Sequence, residues 1–195
     1  GTAESATSIA TAPVSAENIA GTISITGSPT EGATLTAVAA DADGLPGPVE
    51  YQWFADGEKI EGATAATLVP GTSEVGRAIS VAVNFTDGRG FFEQLQSVAT
   101  AAIANVNDAP TGVLAIEGAA VQGGTLVATS TLADADGLGA LAFQWKVGGV
   151  AVSGATESTY VLGASDVGKT VTVTASYTDG QGAQESVESA PTAEV

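Results

Sequence analysis

The 195 residues include no cysteine, no histidine and no methionine. Without cysteine there is neither a disulfide framework nor thiol chemistry. An oxidising compartment permits disulfides without requiring them, so their absence does not exclude secretion. With no methionine, the chain reads as a fragment or processed product, and any targeting signal is expected outside it. Basic residues are scarce: 5 against 22 acidic ones, a net charge of −17. Such a surface repels nucleic acid and anionic membranes, and suits either a salt-tolerant surface or one that collects divalent cations. No apolar run approaches a membrane span, and no signal peptide is visible, so membrane insertion is not expected. Aromatics are few, and much of the 44% hydrophobic content is Ala and Val.

An internal repeat is what the sequence does contain. Glu50–Val69 matches Ala142–Val161 along its length, and Trp53/Trp145, Gly76/Gly168 and Asp87/Asp179 are each 92 positions apart. Before Trp53 the offset slips, so that Leu35 pairs with Leu126 and Asp43 with Asp136. A third, partial copy opens the chain, because Glu4–Asn18 resembles Glu93–Asn107. Residues 1–18 therefore read as the last strand and linker of a preceding repeat, either added to a sheet edge or fixed by packing. Residues 19–108 form the first full repeat and 109–195 the second.

Within each copy, large side chains recur at every second residue: Ile79, Val81, Val83 and Phe85, then Val171, Val173, Ala175 and Tyr177. That period marks half-buried antiparallel strands. Similar runs surround Ile23–Thr26, Thr34–Val38 and Val49–Phe54. Turns are expected at Asp56-Gly57, Gly148-Gly149, Asp87-Gly88 and Asp179-Gly180, where glycine supplies a positive φ. About seven short strands per copy make an all-β pair of sandwiches. Trp53 and Trp145 are expected in the cores. Phe91-Phe92, replaced by Ala183-Gln184 in the second copy, reads equally as an exposed edge contact or a core filler.

Tyr51-Gln52-Trp53, Gly62-Ala63-Thr64, Thr67-Leu68 and Glu74-Val75-Gly76 follow the order of an immunoglobulin-like repeat, and the second copy keeps Asp166-Val167-Gly168-Lys169. The chain lacks that family's cysteine pair and corner tyrosine. It resembles the bacterial immunoglobulin-like and cadherin-like repeats strung in tandem in large surface adhesins, including RTX-type adhesins. The linker Asn105-Val106-Asn107-Asp108-Ala109-Pro110 is similar to the N-D-x-P joint of cadherin-type repeats. The resemblance implies two tandem immunoglobulin-like antiparallel sandwiches at a bacterial cell surface. Their partners would be neighbouring repeats of the same chain, with any host or biofilm ligand held by other domains.

A nucleophile search is unproductive, because a serine or threonine here would need lysine or a carboxylate as its base. The paired carboxylates lie on turns present in both copies, which suits structure better than a single active site. There is no phosphate-binding loop or dinucleotide fingerprint. No enzymatic role is expected.

Calcium is the sharper candidate. Each copy carries Asp-Ala-Asp-Gly, at Asp41–Gly44 and Asp134–Gly137, and Thr-Asp-Gly-x-Gly around Asp87 and Asp179. Calcium takes six to eight oxygen ligands, which carboxylates and carbonyls on turns supply. In an immunoglobulin-like sandwich these two turns share one end with the incoming linker. That groups Asp134, Asp136 and Asp179 with Asn107 and Asp108, and Glu31 and Glu74 are expected from turns at the opposite end of the first copy. By analogy with cadherin-type junctions, calcium there would stiffen the joint. Asp41, Asp43 and Asp87 are the weaker set, since their linker, Ser15-Ala-Glu-Asn18, lacks the N-D-x-P pattern. The rival reading is that these aspartates only cap their own turns. Two functions follow: a spacer in a surface adhesin, or a module that itself binds sugar or protein, with Arg89, Phe91 and Phe92 as its copy-specific residues.

Overall fold

A computed structural model describes residues 1–11 and 17–195. It divides into two compact units, Gly1–Ala104 and Asn105–Val195. The linker Asn105–Asp108, grouped by sequence with the first repeat, falls in the second unit. Residues 1–11 carry no strand and are exposed throughout, so the strand expected at the start of the chain is not formed there; Ala12–Ala16 lie outside the described residues.

Among the described residues the first unit has seven strands: β1 (Thr22–Thr26), β2 (Leu35–Ala40), β3 (Glu50–Ala55), β4 (Glu58–Lys59), β5 (Thr67–Leu68), β6 (Ile79–Thr86) and β7 (Phe92–Gln96). They form two antiparallel sheets, ordered β1-β2-β5 and β4-β3-β6-β7. The second unit repeats this with β8 (Leu114–Glu117), β9 (Thr125–Ser130), β10 (Ala142–Val147), β11 (Val150–Ala151), β12 (Thr159–Val161), β13 (Val171–Thr178) and β14 (Gln184–Glu188). Its sheets are β8-β9-β12 and β11-β10-β13-β14. Three strands facing four in this order is the immunoglobulin-like sandwich. Among the described residues no helix is long and apolar enough to cross a membrane.

The alternation read from the sequence fixes which side chains face inward. Ile79, Val81, Val83 and Phe85 are all buried, as are Val171, Val173, Ala175 and Tyr177. Trp53 and Trp145 are fully buried at the cores' centres. A buried indole N–H needs an acceptor, and it donates to the Ala65 carbonyl (2.9 Å) in one unit and that of Glu157 (2.8 Å) in the other. The preceding glutamine fastens the neighbouring loop. Gln52 Nε2 donates to the Trp53 and Ile60 carbonyls, both at 2.9 Å, and Gln144 Nε2 to those of Trp145 (2.9 Å) and Val152 (2.8 Å).

Two of the expected turns behave as read, with positive φ at Asp56 and Gly57 and at Gly148 and Gly149. The other two do not. In the β6–β7 and β13–β14 hairpins the positive φ falls on Gly90 and Gly182, two residues later than expected. Gly88 and Gly180 are needed for another reason, close backbone approach, which bears directly on the site.

Each unit takes the chain in at one end and releases it at the other. In the first, Asn18 and Gly21 bond Glu93 beside the β6–β7 hairpin, whereas Ala104 bonds Pro29 and Glu31 beyond the start of β2. In the second, Asn107 bonds Glu185, whereas Val195 pairs with Gly168 and Lys169 before β13.

The outgoing end of the second unit carries a polar lock that the first lacks. Asp166 Oδ2 accepts from the Gly163 N–H (2.8 Å) and the Tyr160 hydroxyl (3.0 Å), and Tyr160 stacks on Trp145 with centroids 5.7 Å apart. The Gly163 N–H, then the Tyr160 and Ser165 hydroxyls and Lys169, hold the Asp166 carboxyl below its usual range against the opposing effect of burial. A carboxyl with a lowered folded-state pKa contributes stability that is complete above its unfolded pKa of about 4 and fades as pH falls through the lower folded value. The stability advantage of the native chain over Asp166→Asn should therefore be constant above about pH 4 and shrink below it. Urea unfolding followed by Trp145 fluorescence in a Trp53→Phe background checks this; an advantage that grows in acid would contradict it.

Candidate functional site

The turn after the second strand of each unit is folded by its own first aspartate. Asp41 Oδ1 accepts from the Asp43 N–H (2.7 Å), and Asp134 Oδ1 from that of Asp136 (2.9 Å). The hairpin before the last strand is folded the same way. Asp87 Oδ1 accepts from Arg89 and Phe91 N–H, both at 2.8 Å, and Asp179 Oδ1 from those of Gln181 (2.9 Å) and Ala183 (2.8 Å).

Glycine lets these two turns touch. Gly88 N–H donates to the Gly44 carbonyl, and Gly180 N–H to those of Asp136 and Gly137. A Cβ at position 88 would lie 2.1 Å from the Asp43 carbonyl oxygen, and at 180 it would lie 2.5 Å from that of Asp136. Only a residue without a side chain permits that approach. It is what carries the aspartates of both turns into one volume.

In the second unit, Asp134, Asp136 and Asp179 each bring a carboxylate oxygen within 4.8 Å of the others. In the first unit the trio is Asp41, Asp87 and Glu93, with Glu93 where Asp43 would match Asp136. The incoming chain is tied to the same place. Asp136 Oδ2 accepts from the Asp108 N–H (2.7 Å), and Asn107 Nδ2 donates to Glu185 (2.8 Å). One repeat earlier, Asp43 Oδ2 accepts from the Ile19 N–H (2.9 Å), and Asn18 Nδ2 donates to Glu93 (2.7 Å). By sequence the first set ranks as weaker, because its linker lacks N-D-x-P. The missing aspartate does not matter to this bond, because the group at that position acts through its main-chain N–H. Glu31 and Glu74, expected from turns at the other end of the first copy, make local hydrogen bonds, and Glu74 joins no acidic cluster among the described residues. Glu31 accepts from the Thr72 hydroxyl (2.8 Å), and Glu74 caps its own turn through the Gly71 N–H (2.9 Å) and the Ser73 hydroxyl (2.7 Å).

Turn capping accounts for the Oδ1 atoms but not for the rest. Asp41 Oδ2, Asp87 Oδ2 and Asp179 Oδ2 are buried and have no hydrogen-bond partner among the described residues. Asp87 and Asp179 are only 2% and 6% exposed. A buried carboxylate oxygen without a protein donor is costly unless another partner, such as a cation, serves it. The donors are all oxygen, and the chain has no histidine or cysteine, so the set suits a hard divalent ion such as calcium.

The two sites differ at one inward position of the sixth strand. Tyr177 donates its hydroxyl to Asp134 Oδ2 at 2.5 Å; Phe85, its counterpart, cannot, which leaves Asp41 Oδ2 without a partner among the described residues. Burial first, then the hydrogen bond and charge of Asp134 and the charges of Glu185 and Asp179, push the Tyr177 hydroxyl well above its usual pKa, so it remains a donor at neutral pH.

Glu93 and Glu185 escaped the sequence reading. The signal was present: 92 positions apart, each sits on the inward parity of its last strand, where Leu95 and Val187 follow. A glutamate at a core-facing position asks for a partner. Phe91 and Phe92 are exposed, which decides between their two readings.

No family model matches the chain, and no curated protein is similar enough to count as a relative. Among solved structures, it is similar to three N-terminal domains of the highly immunogenic outer capsid protein (Hoc) of bacteriophage RB49, at 22% identity and a TM-score of 0.38, over 87% of this chain and 58% of that one. It is also similar to a Ca2+-stabilised adhesin with which an Antarctic bacterium reaches out and binds ice, at 15% identity and a TM-score of 0.38, over 91% and 49%. The chain thus spans about half the length of each.

Removing the close approach should open the site. Gly180→Ala forces the hairpin off the Asp134–Gly137 turn and should cost the second unit about 1–3 kcal/mol. Gly182→Ala, strained by its φ rather than by crowding, should leave the carboxylates together. Urea unfolding of the Trp53→Phe protein, with and without calcium, measures both; a calcium response lost in Gly180→Ala but kept in Gly182→Ala is expected.

Proposed function

We propose that this chain is a pair of spacer repeats from a cell-surface adhesin of a bacterium, in which a divalent cation, calcium by its donor chemistry, fixes the incoming chain onto each repeat. The observation that carries this reading is the placement of buried Asp179 Oδ2 and Asp87 Oδ2, without a partner among the described residues, in clusters whose Asp136 and Glu93 also grip the incoming linker. In the cluster of the second repeat, Asp134, Asp136 and Asp179 would hold the ion. Their mutual repulsion, about 1 kcal/mol per pair in water and more where water is excluded, is relieved once it binds. The linker, tied to Asp136 through Asp108, then loses its freedom to swing. Each repeat passes the chain from one end to the other, and the eight-residue β6 and β13 alone span about 26 Å. The role is structural rather than catalytic, and projection of a terminal ligand-binding domain away from the cell would be its purpose.

Calorimetric titration of calcium into chelator-treated protein tests it. Saturable binding should raise the Tm by about 10 °C at a hundred times Kd. Asp134→Ala with Asp136→Ala should abolish both signals for the second repeat. Titrations that are flat in the native protein would overturn the reading.

A second reading has one observation behind it. Phe92 is 64% exposed beside a cavity of about 200 Å³ lined by Gly47, Pro48, Glu50 and Asn84. An exposed aromatic flanked by amide and carboxylate groups is chemistry that suits a sugar face, and the second repeat has Gln184 instead. On a glycan array the native chain would bind and Phe92→Ala would not; absence of binding by the native chain removes this alternative.

A further inference from the structure

The two units offer an internal control, since the same site is built twice with different neighbours. The hairpin position two residues after the capping aspartate is Arg89 in the first unit and Gln181 in the second. Arg89 turns back over the site. Its Nε lies 3.1 Å from Asp43 Oδ1, and the Asp43 side chain is only 1% exposed. A terminal guanidinium nitrogen of the same residue donates to the Glu17 carbonyl of the incoming chain. One positive group therefore joins a buried carboxylate of the site to a linker carbonyl, which is the bridging a bound divalent ion would otherwise provide. The remaining basic residue of that unit's sandwich closest in sequence, Arg77, sits at the other end with Asp56 and Glu58. Gln181, by contrast, is exposed and uncharged. The second unit's own basic residues are engaged elsewhere, Lys146 with Glu188 and Lys169 with the Ser165 carbonyl.

We propose that Arg89 is a tethered substitute for part of the cation's role, so that the first site binds calcium more weakly than the second and holds its incoming chain partly without it. This rests on the calcium reading above and adds a rank order to it. Two effects act in the same direction. The guanidinium repels a divalent ion, and a unit charge about 6 Å away weakens binding roughly tenfold even at the dielectric of water. It also occupies Asp43, whose counterpart Asp136 stays with its cluster in the second unit. Asp41, Asp87 and Glu93 still form an oxygen-lined site with two buried oxygens that have no partner among the described residues, so the first site is weakened rather than abolished.

The test is calorimetric titration of calcium into the full chain after chelator treatment, using variants that spare the fold. Asp87→Asn and Asp179→Asn keep the Oδ1 acceptor that caps each hairpin and replace only the unpartnered oxygen. In the native chain, a tight event should disappear with Asp179→Asn, and an event at least tenfold weaker should disappear with Asp87→Asn. Arg89→Gln should tighten the weaker event at least tenfold, Arg89→Lys should tighten it much less, and Gln181→Arg should weaken the tight one. Two events of equal affinity in the native chain, or an Arg89→Gln titration identical to the native one, would overturn the substitution while leaving calcium binding intact. A native chain with no calcium event, or a tight event indifferent to Asp179→Asn, would overturn the calcium reading and this inference with it.

Discussion

A backbone-to-backbone contact that excludes even a single carbon atom organises the incoming end of each repeat. Gly88 against Asp43 and Gly180 against Asp136 bring two turns from different parts of the chain into direct hydrogen bonding. Each turn is folded by one oxygen of its own aspartate, and the contact then points the other oxygens at a common volume. The acidic clusters, the attachment of the incoming chain and the difference between the two repeats all follow from it. Larger side chains at either position would separate the turns and leave two ordinary, solvated aspartate caps.

Beneath that contact the sandwich acts as a rigid mount. Inward-facing residues of β6 and β13 and a buried tryptophan on β3 and β10 hold the strand ends, and hence the turns, in register. The same regularity explains why the site is built twice. It also explains why the exceptions carry information. Phe85 against Tyr177 decides whether one carboxylate oxygen has a donor, and Arg89 against Gln181 decides whether a charge is already in place. At the outgoing end, Leu68 and Glu74 stand where Tyr160 and Asp166 do, so only the second repeat has the buried tyrosine–aspartate lock.

Much of the architecture was legible because it is written in period and repetition. Alternating apolar residues marked the strands, and a 92-residue offset marked the copies. Asp134, Asp136 and Asp179 group from topology alone, which places those turns at one end, and their carboxylate oxygens lie within 4.8 Å of one another. Three features were not legible. Glu93 and Glu185 look like ordinary strand residues until their parity is weighed against their charge. Asp41, Asp43 and Asp87 rank as the weaker set when the linker motif is judged by side-chain identity, whereas the bond to Asp43 is made by a main-chain N–H that any non-proline residue offers. Gly88 and Gly180 were read as turn residues needing positive φ, when their requirement is steric.

The sequence by itself determined that there are two all-β repeats, where their strands lie, and that the chain is strongly acidic with turns rich in aspartate. These are consequences of local periodicity and composition, which need no knowledge of distant contacts. Only the tertiary structure decided which oxygen of each aspartate is spent on its own turn and which is left over, and that Arg89 reaches a buried carboxylate. Those depend on how turns some 40 residues apart in sequence meet, and interatomic distances of a few ångströms across such a gap are set by packing rather than by pattern.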